Sequence, residues 1–151
     1  MVAYQLSVFA ENKQGRLAKV TGILKKGKIN IRAITISTSD VFGVINLIVD
    51  DPEAARSILE DEGLTVSIKN VVAVVIEDRP GGLDRLVQLL LDEGINIENA
   101  YGFVLESSEK AVFVVDVDQL EKAQKVLADA GLETLDTQTL SAIEPFHYMK
   151  Y

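Results

Sequence analysis

The fold of this chain is decided by the stretch Glu11-Asn12-Lys13-Gln14-Gly15-Arg16-Leu17, which returns further along as Glu77-Asp78-Arg79-Pro80-Gly81-Gly82-Leu83. The triplet Ile29-Asn30-Ile31 recurs as Ile95-Asn96-Ile97 at the same shift, which we call the first shift. A small insertion follows in the second repeat. Beyond it, equivalent residues are separated by a slightly larger number of positions, which we call the second shift and which relates Gly63-Leu64 to Gly131-Leu132. A loop, a glycine and a triplet at one constant shift indicate a duplicated module, and such a repeat sets the architecture of the whole chain.

The repeat divides the 151 residues into two modules, which we predict at 1-70 and 71-143, followed by a tail at 144-151. A domain of about 60 residues buries only about 60% of its unfolded surface, so we expect the modules to pack on each other or on a second chain. We predict a homodimer, because edge strands and apolar helix faces of small modules attract partners. The aromatic tail either packs over an apolar surface or subunit boundary, or is disordered.

Composition limits the class of protein. Hydrophobic residues make up 48% of the chain, which is ample for folded cores, and the net charge of −8 disfavours nucleic acid and anionic membrane surfaces as partners. There is no run of eighteen apolar residues, and the first residues read as a strand rather than a signal peptide. Without cysteine, the chain has neither disulfides nor a thiolate metal site. We therefore predict a cytoplasmic protein with no membrane span.

Hydrophobic periodicity predicts the order strand, helix, strand, strand, helix, strand in each module. We predict strands at 4–9, 29–37, 44–49 and 65–69 with helices at 17–26 and 52–62, then strands at 71–76, 95–105, 111–117 and 133–140 with helices at 82–93 and 119–130. The apolar phase slips between Ile31 and Ile34, which predicts a β-bulge near Arg32-Ala33. The fold class is therefore α+β, with two ferredoxin-like βαββαβ modules. Each has an antiparallel four-stranded sheet with both helices on one face.

A polar loop, a glycine and a helix N-terminus follow the first strand of each module. Free backbone N–H groups at that N-terminus suit a small carboxylate, and the glycine lets the backbone approach a ligand closely. Asn12 or Asp78 would supply an oxygen to an ammonium group, and Asn30 or Asn96 would add a second acceptor. Together these groups fit an α-amino acid. The alternative is that Asn12 and Asp78 only cap helices and the glycines only make turns.

These residues resemble ACT domains, the amino-acid-sensing regulatory modules of many biosynthetic enzymes, and the tandem is similar to small proteins made of two ACT domains. The resemblance covers Tyr4 to Ile143 and rests on the two loops and the two Ile-Asn-Ile triplets. It implies a ligand at the seam between two ACT domains. The implied ligand-binding residues are Asn12, Gly15, Arg16, Leu17, Asn30 and Ile31 in the first module, and Asp78, Gly81, Gly82, Leu83, Asn96 and Ile97 in the second. Gln14 stands where proline is usual in this family, and Asp78 where asparagine is frequent.

Three functions remain open. The first is a regulatory protein that senses a free amino acid and controls amino-acid metabolism. The second is a regulatory subunit of a biosynthetic enzyme, similar to the small subunit of acetolactate synthase. The third is an oligomerisation module without a ligand. Catalysis is not expected, because His147 is the single histidine and Pro80-Gly81-Gly82 lacks the lysine and hydroxyl of a phosphate loop. We predict no catalytic residue, no metal and no cofactor.

Overall fold

Module one is built on strands whose apolar residues alternate toward one pair of helices. The computed structural model describes residues 1–106 and 109–142, and Tyr4–Lys69 form the compact unit that we call module one. Its elements are β1 (Ala3–Glu11), α1 (Arg16–Lys26), β2 (Ile31–Thr38), β3 (Phe42–Val49), α2 (Pro52–Asp61) and the first part of β4 (Thr65–Glu77). β3 lies between β1 and β2 and is antiparallel to both, and β4 follows β1 in the strand order.

The core of module one lies between this sheet and its helices. Cross-strand neighbours such as Leu6 and Leu47 point to the same side, where they meet Leu24 of α1 and Leu59 of α2. The predicted β-bulge is confirmed by a register shift between Ile31 and Ala33, which separates the half-buried start of β2 from its exposed end.

Module two repeats this plan. It comprises the described residues from Asn70 onward, to which Met1–Ala3 also belong. Its elements are the second part of β4, α3 (Gly82–Asp92), β5 (Ile97–Glu106), β6 (Lys110–Val117), α4 (Leu120–Asp129), β7 (Thr134–Leu135) and α5 (Thr137–Ala142). The strand order is β7-β4-β6-β5, with antiparallel pairing throughout, and the core again lies between sheet and helices, around Leu86, Leu90 and Leu127. The α+β class with two ferredoxin-like modules is thus confirmed.

Three predicted strands are wrong in extent. The strands predicted at 65–69 and 71–76 form one continuous β4, because neither glycine nor proline interrupts the chain at Lys69-Asn70. The strand predicted at 133–140 is limited to Thr134–Leu135, and α5 follows it. Asp136 starts this helix, since its carboxylate accepts a hydrogen bond of 2.7 Å from the N–H of Thr139. Hydrogen bonds from the side chain and backbone of Thr139 hold the pKa of Asp136 below its ordinary value.

The tail at 144-151, with its aromatic residues and His147, lies outside the described residues. Among the residues that are described, no helix is both long enough and apolar enough to cross a membrane.

Asp51 caps α2, because its Oδ1 atom accepts a hydrogen bond of 3.1 Å from the N–H of Ala54. We expect Asp51→Ala to lower the free energy of unfolding by about 1 kcal/mol, since a first-turn N–H loses its acceptor. Asp51→Asn is the matched control and should change it by only a few tenths of that, because the amide oxygen still accepts. Urea denaturation of the three proteins measures the difference, and equal effects of the two substitutions would contradict the cap.

Candidate functional site

The loop between the first strand and first helix has the same backbone in both modules. Gly15 and Gly81 are the N-cap residues of α1 and α3, and their φ angles of 89° and 90° lie in the left-handed region that glycine tolerates best. The N–H of the next residue donates to the carbonyl two residues before the glycine, over 3.3 Å in module one and 3.0 Å in module two. Because glycine has no side chain to cap a helix, the N–H groups of the first turn can face a ligand acceptor.

A second pair of contacts ties each loop to the following hairpin. In module one the N–H of Asn12 donates to the carbonyl of Val41 over 2.8 Å, and its side-chain Nδ2 donates to that of Ser39 over 3.0 Å. In module two the N–H of Asp78 donates to the carbonyl of Glu109 over 2.9 Å. The described bond of the Asn12 side chain thus goes to the hairpin and not to α1. Its Oδ1, which has no hydrogen-bond partner among the described residues, remains the acceptor assigned above to an ammonium group.

Asn30 and Asn96 are held by their backbones and expose their side chains. The N–H of Asn30 donates to Asp50 Oδ1 over 3.0 Å, and the N–H of Asp50 donates back to the carbonyl of Asn30 over 3.2 Å. Asn96 and Asp118 repeat this exchange at 2.9 and 3.2 Å. Sequence reasoning missed both aspartates, although each follows the third strand of its module and the second shift relates one to the other. They fix the position from which each asparagine side chain reaches solvent.

Within one module, the loop and the asparagine do not meet. Gly15 precedes α1 and Asn30 follows it, so the 11 residues of the helix separate them, which corresponds to about 16 Å at the rise of an α-helix. Module two has the same arrangement around α3, also 11 residues long. A small amino acid cannot span the helix, so it does not reach both the loop and the asparagine of one module.

The remaining predicted residues divide between core and surface. Ile31 and Ile97 are half-buried and pack against the cores of their own modules. Leu17 and Leu83 each keep 40% of their surface exposed in the first turn of α1 and α3. Ile31 and Ile97 thus position the second strand, whereas the two leucines present apolar surface beside the loops.

A pocket of about 680 Å³ lies beside the loop of module two. Its wall is formed by β4, the loop with Gly81 and Gly82, the first turns of α3, the start of β6 and the connection after α4. It is lined by Val75, Ile76, Glu77, Arg79, Pro80, Gly81, Gly82, Arg85, Leu86, Lys110, Gly131, Leu132 and Glu133. Sequence reasoning found the glycines but missed Arg85, Lys110 and Glu133, which come from segments far apart in the chain.

Module one has two smaller pockets beside its own loop, of which the larger lies at the place equivalent to the pocket of module two. Their volumes are about 270 and 110 Å³, and Arg16 lines both. The guanidinium Nη2 of Arg16 lies 3.7 Å from Glu11 Oε2, and its buried Nε has no hydrogen-bond partner among the described residues. The side chain of Arg16 therefore occupies space that is open beside Gly82 in module two.

Buried polar groups on the sheets were also missed. The Ser7 hydroxyl donates to Asn46 Oδ1 over 2.7 Å, and Gln5 Nε2 lies 3.3 Å from both. In module two, burial raises the pKa of Tyr101 and the charge of Asp116 raises it further, so the phenol stays neutral. A single polar residue within an apolar strand does not indicate from sequence that its side chain is buried and hydrogen-bonded. Over the described part of the chain, no cluster of three or more acidic or histidine side chains could hold a metal ion.

Comparisons with known proteins agree with this architecture. The family model described as an ACT domain pair matches residues 1–144. Protein BT0572 from Bacteroides thetaiotaomicron has a similar crystal structure at 36% identity, with a TM-score of 0.88 over 94% of this chain and 97% of that chain. The ligand-free regulatory subunit of aspartate kinase from Thermus thermophilus is similar at 18% identity, with a TM-score of 0.63 over 84% of this chain and 91% of that one. At this identity, that likeness concerns the fold alone. No curated protein sequence matches the chain.

Proposed function

This chain belongs to the family of ACT domain pairs, and from that premise we propose that it is a regulatory protein that binds a free α-amino acid and catalyses no reaction. Its ligand acts by binding one state of assembly, or of partner contact, more tightly than another. Its action in the cytoplasm and its control of amino-acid metabolism are parts of the same proposal.

The repeated loop is the observation that supports this function. Two glycines with φ near 90° place the first-turn N–H groups of α1 and α3 at the ends of β1 and β4. Such groups, with the positive end of the helix dipole, stabilise a carboxylate. In module one, Asn12 Oδ1 has no hydrogen-bond partner among the described residues and is open to an ammonium group, while Nδ2 of the same amide donates to the hairpin. The two charged groups common to all α-amino acids thus find suitable partners at one loop.

We propose that the ligand lies at a seam, where the loop of one module meets the asparagine of another. The 11-residue length of α1 and α3 supports this, because loop and asparagine of one module are too far apart to share a ligand. The second module belongs to the same chain or to a second copy in a homodimer. The proposed binding residues remain those of the sequence analysis. The exposure of Asn30 and Asn96, whose backbones are held by Asp50 and Asp118, supports their inclusion.

A thermal-shift screen against the twenty amino acids tests the proposal. A ligand that binds only the folded state stabilises it by about 2.7 kcal/mol at a hundredfold excess over Kd, so one or a few related amino acids should raise Tm. A flat screen, confirmed by calorimetric titration, would overturn the sensor function and favour the oligomerisation module without a ligand.

Substitution of the asparagines tests the seam. We expect Asn30→Ala or Asn96→Ala to weaken binding of the amino acid found in the screen by about tenfold, since the ligand loses one hydrogen bond to a polar group. Asn70→Ala is the matched control, because Asn70 is an exposed asparagine of β4 outside the proposed set, and it should leave Kd unchanged. If all three variants bind like the wild type, the asparagines are not part of the site.

A regulatory subunit of a biosynthetic enzyme is the second candidate. Val41 and Phe42 support it, because they expose 62% and 63% of their surfaces at the hairpin that Asn12 holds. Exposed aromatic residues of this kind are typical of protein contacts. Light scattering of the wild type and of Phe42→Ser, with and without amino acid, would detect self-association through this hairpin. If all four samples keep the mass of the monomer, the hairpin does not mediate self-association, and its partner would be a different protein.

A further inference from the structure

We infer that the pocket of module two is the binding site for an α-amino acid with an acidic side chain, and that module one, whose loop stays in the proposed binding set, has no equivalent pocket for an acidic ligand. The inference rests on the proposed function and adds to it the ligand class, the module and the residues that recognise the second carboxylate. Three differences between the repeats carry it, each at a position where the shared backbone places different side chains.

The first difference is space. Gly82 stands at the position of Arg16 by the first shift, and it leaves open the volume that the arginine side chain occupies in module one. Val75 likewise stands at the position of the larger Phe9. The pocket of module two measures about 680 Å³, whereas the equivalent pocket of module one measures about 270 Å³. Ligand sites commonly fall between about 300 and 1,000 Å³, so at this position only module two has the usual room; the pocket of about 570 Å³ in module one lies between α1 and the end of α2, away from the loop.

The second difference is charge. Arg79 forms an ion pair with Glu77, so these two neutralise each other. The other ionisable residues of the lining are Arg85, Lys110 and Glu133, and none of them has an ion pair among the described residues. Two cations and one carboxylate complement two carboxylates and one ammonium group. A dicarboxylic amino acid has this set of charges, whereas a neutral one would leave a cation of the pocket without a partner.

The third difference is that module one lacks two of these three charges. Phe42 stands at the position of Lys110 and Thr65 at that of Glu133, both by the second shift. Lys19 replaces Arg85 and keeps the same structural contact: Lys19 Nζ approaches the carbonyl of Glu62 over 3.4 Å, as Arg85 Nη2 approaches that of Ala130 over 3.1 Å. This shared contact makes Lys19 and Arg85 a matched pair that differ in the pocket they serve.

Isothermal titration of the full chain with L-aspartate, L-glutamate, L-asparagine and L-glutamine tests the inference. We expect one acid molecule bound per chain, and binding of the corresponding amide at least about tenfold weaker, because a charge-assisted hydrogen bond is lost. The four compounds separate charge from size, because each acid and its amide have nearly the same shape. Equal binding of acid and amide, or two acid molecules per chain, would overturn the inference.

Variants locate the site. Arg85→Gln should weaken acid binding by about tenfold to a hundredfold, and Lys110→Gln similarly, whereas Lys19→Gln should leave Kd unchanged. Lys19→Gln and Arg85→Gln each remove one contact from a side-chain nitrogen to a carbonyl, so the two variants should have the same melting temperature by circular dichroism. With equal melting temperatures, a difference in Kd between them is not caused by a difference in folding. If Lys19→Gln weakens binding as much as Arg85→Gln, module two is not the site. If the wild type binds other amino acids but no acid, this inference fails while the sensor function stands, and if it binds none, both fail.

Discussion

Gly82→Ala is expected to lower the free energy of unfolding by about 2 kcal/mol, within the range typical of overpacked sites. A Cβ atom on Gly82 would lie 2.1 Å from the carbonyl oxygen of Glu77, which belongs to the backbone of β4 and cannot rotate away. The loop must therefore shift, although the hydrogen bond from the N–H of Gly82 to the carbonyl of Arg79 holds it in place. Module one carries Arg16 at this position, with the longer hydrogen bond of 3.3 Å, so the shifted loop is attainable and the expected effect is moderate.

Gly22→Ala is the matched control. Gly22 lies within α1, and a Cβ atom there would meet nothing within 4 Å. Because alanine restricts the unfolded chain and favours a helix, this substitution should raise the free energy of unfolding by about 0.5–1 kcal/mol. Guanidinium denaturation monitored by circular dichroism measures both variants. Opposite signs are expected, and a Gly82→Ala protein as stable as the wild type would show that the loop is not packed against β4.

Leu90→Ala should have the largest effect on stability, a loss of about 3 kcal/mol. Leu90 is fully buried in α3 and packs within the core of module two. Removing its isobutyl group forfeits the transfer free energy of the buried atoms and leaves a cavity, which together amount to about 2–5 kcal/mol for buried leucines. Leu24 stands at the same place of module one, by the first shift, and is also buried, so Leu24→Ala should have a similar effect.

Leu91→Ala provides the control for the same chemical change. Leu91 follows Leu90 directly but exposes 63% of its surface, so its truncation should change the free energy of unfolding by less than about 0.5 kcal/mol. Denaturation midpoints of the four proteins, with unchanged slopes, give the comparison. If Leu91→Ala were as destabilising as Leu90→Ala, the face of α3 that packs on the sheet would be assigned wrongly.

The sequence predicted those parts of the fold that depend on local pattern. The first and second shifts indicated a duplication, and the structure places the difference between them at the end of β5, which has 10 residues where β2 has 8 and shows a register shift between Val104 and Glu106. The phase slip in β2 was visible because a bulge moves apolar residues to the other face. The strand predicted at 133–140 failed because Thr134, Thr137 and Thr139 have the β-branched character of a strand, whereas the cap of Asp136 turns the chain into α5.

The candidate site was predicted only in part, for a physical reason. Gly15 and Gly81 indicate a left-handed backbone, which one residue type reveals by itself. The pocket of module two instead requires Arg85, Lys110 and Glu133 to meet, and these residues come from α3, β6 and the connection before β7. Their meeting depends on the register between β4 and β6 and on the length of α4, neither of which a single sequence states. The distance between loop and asparagine likewise follows only from a helix of known length.

Because the chain is an internal duplication, the pocket of one module can be transferred to the other by substitution. Since the loop backbone and the backbone tie to the hairpin are common to both halves, the inferred recognition depends on a few side chains at equivalent positions. On the inference above, replacing Arg16 by glycine, Phe42 by lysine and Thr65 by glutamate would transfer the inferred acidic specificity to the first half and produce a bivalent chain. The untouched half would serve as a built-in reference in the same molecule, at the same concentration and under the same solvent conditions.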